Sequence, residues 1–445
     1  MNKEVKVVKK KRKLNWQKIF NLISFTFILA CIIFYGTRFI RLYLQNNKKE
    51  EIKVLADNIK DNNEGNLKNI NSDYYFTGKE VNNYVKYSNI LFRIIKINKD
   101  NSITLISDKP ITSLAKGDNN DYKTSYINNW LNNQDKENTG ILEKNLNNPN
   151  KYLTYTNACN DKIDNTKNIT CKSTLADTLI TLPSLYDYIN TGDTKSFMNN
   201  ETYYYLLNTN KDNKTWYIND NGGVTTSDNT DILGIKPVIT LKSTNKLING
   251  DGTKDNPYTF EEEQSILGSY VKLGNDTWRV YDIDDNNLKL SLDNYLKINN
   301  EEITYKYSDK GYYHNDGKQG TLAYYLNKNY LSKLTYSSNI IEANYANGIY
   351  SNTTNYDYTK VLNKTIPTKV ATLSIGNIII NSDNTNYYLS TGVDTNSNLV
   401  YVMTNDFKLY TKNATSKLKI VPVITIDKKI LTSGDGSQSS PLEAK

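Results

Sequence analysis

Histidine occurs once in this 445-residue chain, at His314. Ser-His-Asp and Cys-His nucleophile arrangements need a ring nitrogen beside the nucleophile. His314 stands in Tyr312-Tyr313-His314-Asn315-Asp316-Gly317, and no nucleophile-elbow motif accompanies it. No glycine-rich phosphate loop follows a strand pattern, and no twelve-residue carboxylate loop suited to calcium is present. Cysteine is nearly as scarce: Cys31, Cys159 and Cys171. Two sulfurs with no histidine near them do not fill a tetrahedral zinc shell. The expectation is therefore a non-enzyme, with no cofactor and no metal.

Long apolar runs are also missing, with one exception. Residues 19–37 carry no charge and lie between Lys18 and Arg38. As a helix this run reaches roughly 28 Å, close to the ~30 Å of a hydrocarbon core. It predicts a single membrane-spanning helix in contact with lipid. Residues 1–18 hold eight lysines and arginines against Glu4, so the positive-inside rule keeps that stub cytoplasmic. Residues after 37 are then extracellular, beginning with a juxtamembrane stalk over 38–72 that contains a short helix and the flexible Asp61-Asn62-Asn63-Glu64-Gly65. Cys31 lies mid-run, as a small apolar residue of that helix.

The net charge of +8 is concentrated in this N-terminal region. Residues 1–49 hold twelve cations and one acid, and the remainder holds 43 cations and 46 acids. A nucleic-acid binder places a basic stripe on its folded part, so nucleic acid is excluded as a partner.

Beyond the stalk the chain repeats itself. Tyr84-Val85-Lys86-Tyr87-Ser88-Asn89-Ile90-Leu91-Phe92-Arg93-Ile94 aligns without a gap on Tyr270-Val271-Lys272-Leu273-Gly274-Asn275-Asp276-Thr277-Trp278-Arg279-Val280. A helical patch at 125–132 answers one at 320–327, Tyr204-Tyr205-Leu206 answers Tyr387-Tyr388-Leu389, and Trp216-Tyr217-Ile218 answers Val400-Tyr401-Val402. Each copy closes on Ile-x-Pro-Val-Ile-Thr, at 235–240 and 420–425, followed by Gly250-Asp251-Gly252 or Gly434-Asp435-Gly436. A unit of about 180 residues is too long for a solenoid repeat and long enough for a domain. Two homologous domains are expected, 73–260 and 270–445, joined by a short acidic linker at 261–269. Period-two patterning dominates and helices are short, so the fold class is α+β, mostly β. A sheet pairing the first and last strands of each copy would bring the domain termini together.

The motifs Phe92-Arg93-Ile94, Thr104-Leu105-Ile106-Ser107, Ser125-Tyr126-Ile127-Asn128-Asn129-Trp130-Leu131-Asn132, Leu182-Pro183-Ser184-Leu185 and Lys236-Pro237-Val238 resemble a family of bacterial surface modules of uncharacterised function with a C-type-lectin-like pattern. Trp278-Arg279-Val280, Tyr325-Leu326-Asn327 and Val421-Pro422-Val423 carry the resemblance in the second copy. It implies tandem lectin-like domains and no particular reaction. The Glu-Pro-Asn and Gln-Pro-Asp tripeptides of calcium-dependent sugar binding are absent, and Asn219-Asp220 and Asn405-Asp406 are read as turn residues.

The remaining candidates are binding residues. Arg93 and Arg279 recur beside an aromatic, either stacked structurally on a ring or lining a pocket. Tyr203, Tyr204, Tyr205, Trp216, Tyr217, Tyr387, Tyr388 and Tyr401 either fill the core or stack on a sugar face or protein partner. Cys159 and Cys171 are read as a disulfide in an oxidising compartment or as two separate thiols. These features lead to the expectation of a single-pass protein of the bacterial cell membrane. It displays two non-catalytic binding modules to an extracellular glycan or protein ligand. The alternative is a structural subunit of a cell-envelope membrane complex.

Overall fold

The computed structural model describes residues 16–46, 54–117, 121–284, 286–310, 317–351, 356–380, 386–394 and 397–444. His314 and most of the basic stub lie outside the described residues. Contacts divide the chain into two compact units, Met1–Ile52 and Lys53–Lys445.

The first unit is described by one helix, Trp16–Asn46. No helix among the described residues is long and apolar enough to cross a membrane, and this overturns the spanning helix expected at 19–37. Asn21, Ser24, Thr26 and Thr37 interrupt the apolar residues of that helix.

The second unit contains the repeat, and its strand pairings are duplicated. In the first copy Tyr84–Tyr87, Ile90–Ile97, Ile103–Ser107 and Val238–Leu241 form consecutive antiparallel pairs. In the second, Tyr270–Leu273, Asp276–Asp284, Asn287–Leu292 and Pro422–Asp427 do the same. The opening hairpin of the first copy turns on Ser88 and Asn89, both at positive φ, as a tight two-residue turn requires. Gly274 takes a left-handed conformation at the matching place. Each long strand carries a register shift at an equivalent position, between Ile94 and Lys96 and between Val280 and Asp282. A bulge there re-aims the next side chain, and both clefts described below lie beside it.

The closing strand does not pair with the opening one. It adds to the far edge of the third strand, Ile103–Ser107 or Asn287–Leu292, and the opening strand is instead met by the segment around and after the Gly-Asp-Gly turn. Tyr84 N–H donates to Gly252 O at 2.9 Å, and Tyr270 N–H to Gly436 O at 2.9 Å. The reason is local. Adjacent strands form the hairpin first, which leaves only its outer edges for later segments.

A second sheet in each copy is built on Tyr204–Thr209 and Thr215–Ile218, or on Tyr387–Gly392 and Leu399–Met403. The two copies share part of their core, while a second cluster with Trp278, Leu290 and Ile424 belongs to the second copy alone. One buried cluster joins first-copy side chains such as Trp130 and Leu206 to Tyr350, Tyr358, Ile375 and Phe407 of the second. Backbone and side-chain bonds cross the same junction. Trp130 Nε1 donates to Gly376 O at 2.8 Å, Ser113 Oγ to Phe407 O at 2.8 Å, and Tyr203 N–H to Asp406 O at 2.7 Å.

Part of the expected stalk belongs to this body. Leu55–Asn62 is a helix with Leu55, Ala56 and Ile59 buried. Leu67–Ile70 and Asp73–Phe76 form a hairpin, and its second strand pairs with Ile97 and Lys96. The scattered apolar residues at 55, 56 and 59 form one helix face, and that face meets the core.

Candidate functional site

The repeated arginines each stack on the tyrosine across the strand pair, and Arg279 also lines a cavity of about 200 Å³. The Arg93 guanidinium lies 3.9 Å from the Tyr84 ring centroid, directly across the strand pair, donates to Tyr84 OH at 2.9 Å and to Val81 O at 3.1 Å, and approaches Asp108 at 3.8 Å. Arg279 repeats the arrangement on Tyr270 at 4.0 Å, with Gly268 O at 2.8 Å and Asp293 at 3.7 Å. A planar cation stacked on a ring and bound to carbonyls on its edge locks the opening hairpin.

Five of the aromatic candidates are core. Tyr204, Tyr205, Tyr387, Tyr388 and Tyr401 are buried, and the hydroxyls of Tyr204, Tyr205 and Tyr388 donate to the carbonyls of Met198, Asp231 and Asn413 at 3.0, 2.7 and 2.7 Å. The strands Tyr204–Thr209 and Tyr387–Gly392 are buried along their whole length. The signal was in the sequence: Tyr-Tyr-Leu has no polar alternation, which marks a strand covered on both faces. Trp216 and Tyr217 are half-buried. Trp216 Nε1 donates to Ile163 O at 2.8 Å, and Tyr217 stacks on Tyr203 with centroids 6.2 Å apart. These eight aromatics and the two arginines do not converge on one site. Asn219 is a turn residue, accepting from Gly223 N–H at 2.7 Å.

The structure gathers a different set. A cleft of about 480 Å³ opens against the first-copy sheet, lined by Asp73, Tyr75, Lys96, Tyr155, Tyr186 and Asp187 among others. The bulge after Ile94 turns Lys96 into it. Lys96 Nζ donates to Asp73 Oδ2 at 3.0 Å. Tyr75 OH donates to Asp187 Oδ1 at 3.0 Å, and Ser184 Oγ to Asp187 Oδ2 at 2.6 Å. Burial by itself pushes the Lys96 ammonium down, but the charges of Asp187 and Asp73 outweigh it and hold the pKa above the ordinary lysine value. Burial, and then the Asp187 charge, drives the Tyr75 hydroxyl far up. The floor is thus a fixed set of paired charges. The rim is aromatic, because Tyr186 packs edge-on to Tyr75 at 6.5 Å and Tyr155 is 57% exposed. Tyr155 follows the two-residue strand Leu153–Thr154, and past the strand's end its ring stands exposed although alternation would place it on the face of buried Leu153. Asp73 and Tyr75 fell at the boundary between the expected stalk and first domain, so sequence spacing could not link them to Lys96.

Cys159 and Cys171 are joined by a disulfide with a Cα–Cα distance of 5.6 Å, and both line this cleft. Asp161 accepts from Lys172 N–H at 2.7 Å and Ser173 Oγ at 2.8 Å, closing the same loop. Cys159, Asp161 and Cys171 are the types that hold metals, but both thiols are spent in the bond, so this donor set does not fit an ion.

A buried cation lies beneath the Arg93 pair. Lys236 is 1% exposed, with Nζ 4.9 Å from the Tyr204 ring centroid. Burial is the largest influence and pushes its ammonium down to about 7, Asp108 pulls it up, and Arg93 pushes it further down. The folded value lies below the ordinary ~10.4. Stability present in alkali is therefore lost as pH falls toward 7 and stays lost below it. The second copy has Val421 at the matching position. Lys236→Met is expected to raise stability at pH 6 by about 1–4 kcal/mol, with the gain shrinking toward pH 10, measured by denaturant midpoints. An equal gain at both pH values would contradict the assignment.

Comparison with known proteins returns no match: no protein-family model, no curated protein and no solved structure is similar to this chain.

Proposed function

We propose that this chain is a non-catalytic binding protein whose lectin-like modules present the Lys96–Tyr155 cleft to a glycan outside the cytoplasm. The observation that carries the reading is an exposed tyrosine ring over a floor of paired charges. An aromatic face stacks on the apolar side of a sugar ring, and the fixed carboxylates and amides around it meet hydroxyls. Lys96 is paired with Asp73, and Asp187 is held by the hydroxyls of Tyr75 and Ser184, so both charges already have partners, which suits a neutral ligand. The Cys159–Cys171 bond supports an oxidising compartment, and the resemblance to bacterial surface modules agrees with it.

The test is a glycan array probed with the full chain, followed by titration of the best glycan. Tyr155→Ala is expected to weaken binding about tenfold, equivalent to ~1.4 kcal/mol. Unchanged affinity sinks the reading, and capture of a protein with no glycan signal would replace it by protein recognition.

A second reading, a structural subunit of a cell-envelope assembly, is favoured by the exposed apolar side chains of the Trp16–Asn46 helix, among them Phe25, Phe27, Ile32 and Phe34. Exposed apolar surface of this kind marks an interaction face. Exchange of that helix for an unrelated one would abolish function under this reading and leave glycan binding intact under the first.

A further inference from the structure

We infer that the junction between the two copies holds a second ligand site, one that takes a small neutral polyhydroxylated ring. A cavity of about 340 Å³ opens there, of the size range that binds small molecules. Its lining comes from both copies: Glu137, Asn138 and Ile141 from the first, and Asp282, Asn344 and Asn363 among others from the second. The site therefore exists only because the copies pack together.

Its place in the fold repeats that of the first cleft. Asp282 follows the register shift in its strand as Lys96 follows the one in its own. Thr240 lines the first cleft, and its counterpart Thr425 bonds the hydroxyl of Tyr345, which lines the junction cavity, at 2.6 Å. Both cavities thus lie against the same sheet position. What covers the position differs. In the first copy the Asp73–Phe76 strand takes the edge at Lys96 and Ile97. In the second copy Asn145 of the first copy takes it, donating to Asp282 at 3.2 Å and accepting from Ile283 N–H at 2.8 Å.

The lining chemistry sets the ligand class. The only cation lining the cavity, Lys289, is bound to Asp282 at 2.7 Å, so no unpaired cation faces an anionic ligand. Asn344 and Asn363 are exposed at the rim, and Asn377 faces the same space. Each carboxamide has N–H donors, while the oxygens of Asn363 and Asn377 already accept from Asn138 and Ser374; such donors match vicinal hydroxyls better than a wholly apolar group would. Asn138 and Asn363 already bond across the seam, which holds the two walls in register. Buried rings of Tyr281 and Tyr345, with Ile378, give the floor an apolar surface.

The inference stands apart from the first cleft, and one experiment separates the two. Saturation-transfer NMR is run on the full chain with methyl glucoside, methyl mannoside and N-acetylglucosamine as probes. Three variants are compared with the parent: Tyr155→Ala, Asn344→Trp and Asn363→Ala. Asn344 is exposed on the Ala343–Ala346 strand, so a tryptophan there fills the cavity without entering the core. The expected result is transfer that survives Tyr155→Ala and is lost when Asn344→Trp is added, with Asn363→Ala reducing the same fraction. Complete loss in Tyr155→Ala alone overturns the second site and leaves the first cleft standing. Transfer insensitive to Tyr155→Ala but lost in Asn344→Trp upholds the junction site while the first cleft fails. Absence of transfer from every probe in the parent overturns the inference.

Discussion

A chain that begins at Lys79 is expected not to reach a cooperative fold, whereas one that begins at Lys53 does. The shorter chain loses Leu55, Ile59, Tyr75 and Phe76, all buried. At about 1.5–3 kcal/mol for each buried side chain, the loss is roughly 6–12 kcal/mol, comparable to the 5–15 kcal/mol that stabilises a typical protein. Two further penalties add to it. Lys96 loses Asp73 and remains in a largely buried position, and the strand Ile90–Ile97 loses its partner at Lys96 and Ile97. An exposed strand edge invites association between chains, and a lysine left without its carboxylate in a largely buried place costs stability. Circular dichroism melting and size-exclusion chromatography of the two chains check this. A sharp transition in the Lys79 chain within a few degrees of the longer one would show that the N-terminal helix and hairpin are dispensable.

Trp130→Ala is expected to destabilise the whole Lys53–Lys445 unit by about 3–5 kcal/mol. Trp130 is fully buried and its indole N–H is bonded to Gly376 O across the junction of the copies. Alanine leaves a cavity in the shared core and a carbonyl without its donor. Both penalties fall on the contact between the copies, so the effect is global. The parent should unfold in one transition, because one buried cluster runs through both copies. Two separated transitions in the parent, or a loss below ~1 kcal/mol in the variant by urea titration, would refute a common core.

The duplication was legible from residues alone. Tyr84 and Arg93 recur as Tyr270 and Arg279 at unchanged spacing, and that spacing is the cross-strand register of a two-residue hairpin. Local pairing depends on neighbours in sequence, so local pattern reveals it. The tyrosine pairs stayed open between core and binding because composition alone does not separate the two, although the missing polar alternation in Tyr-Tyr-Leu favours a strand covered on both faces. Residues 54–72 read as stalk because their apolar positions are few. Their burial depends on a groove formed by strands far along the chain.

By itself the sequence determined the repeated module, its mostly β character and the scarcity of catalytic groups, since each follows from residue type and short spacing. Tertiary structure alone decided that the copies share a core, that an N-terminal hairpin closes one sheet edge, and that Asp73, Lys96, Tyr155 and Asp187 meet. Those side chains are far apart in the chain, and only the packing of layers brings them to one cleft.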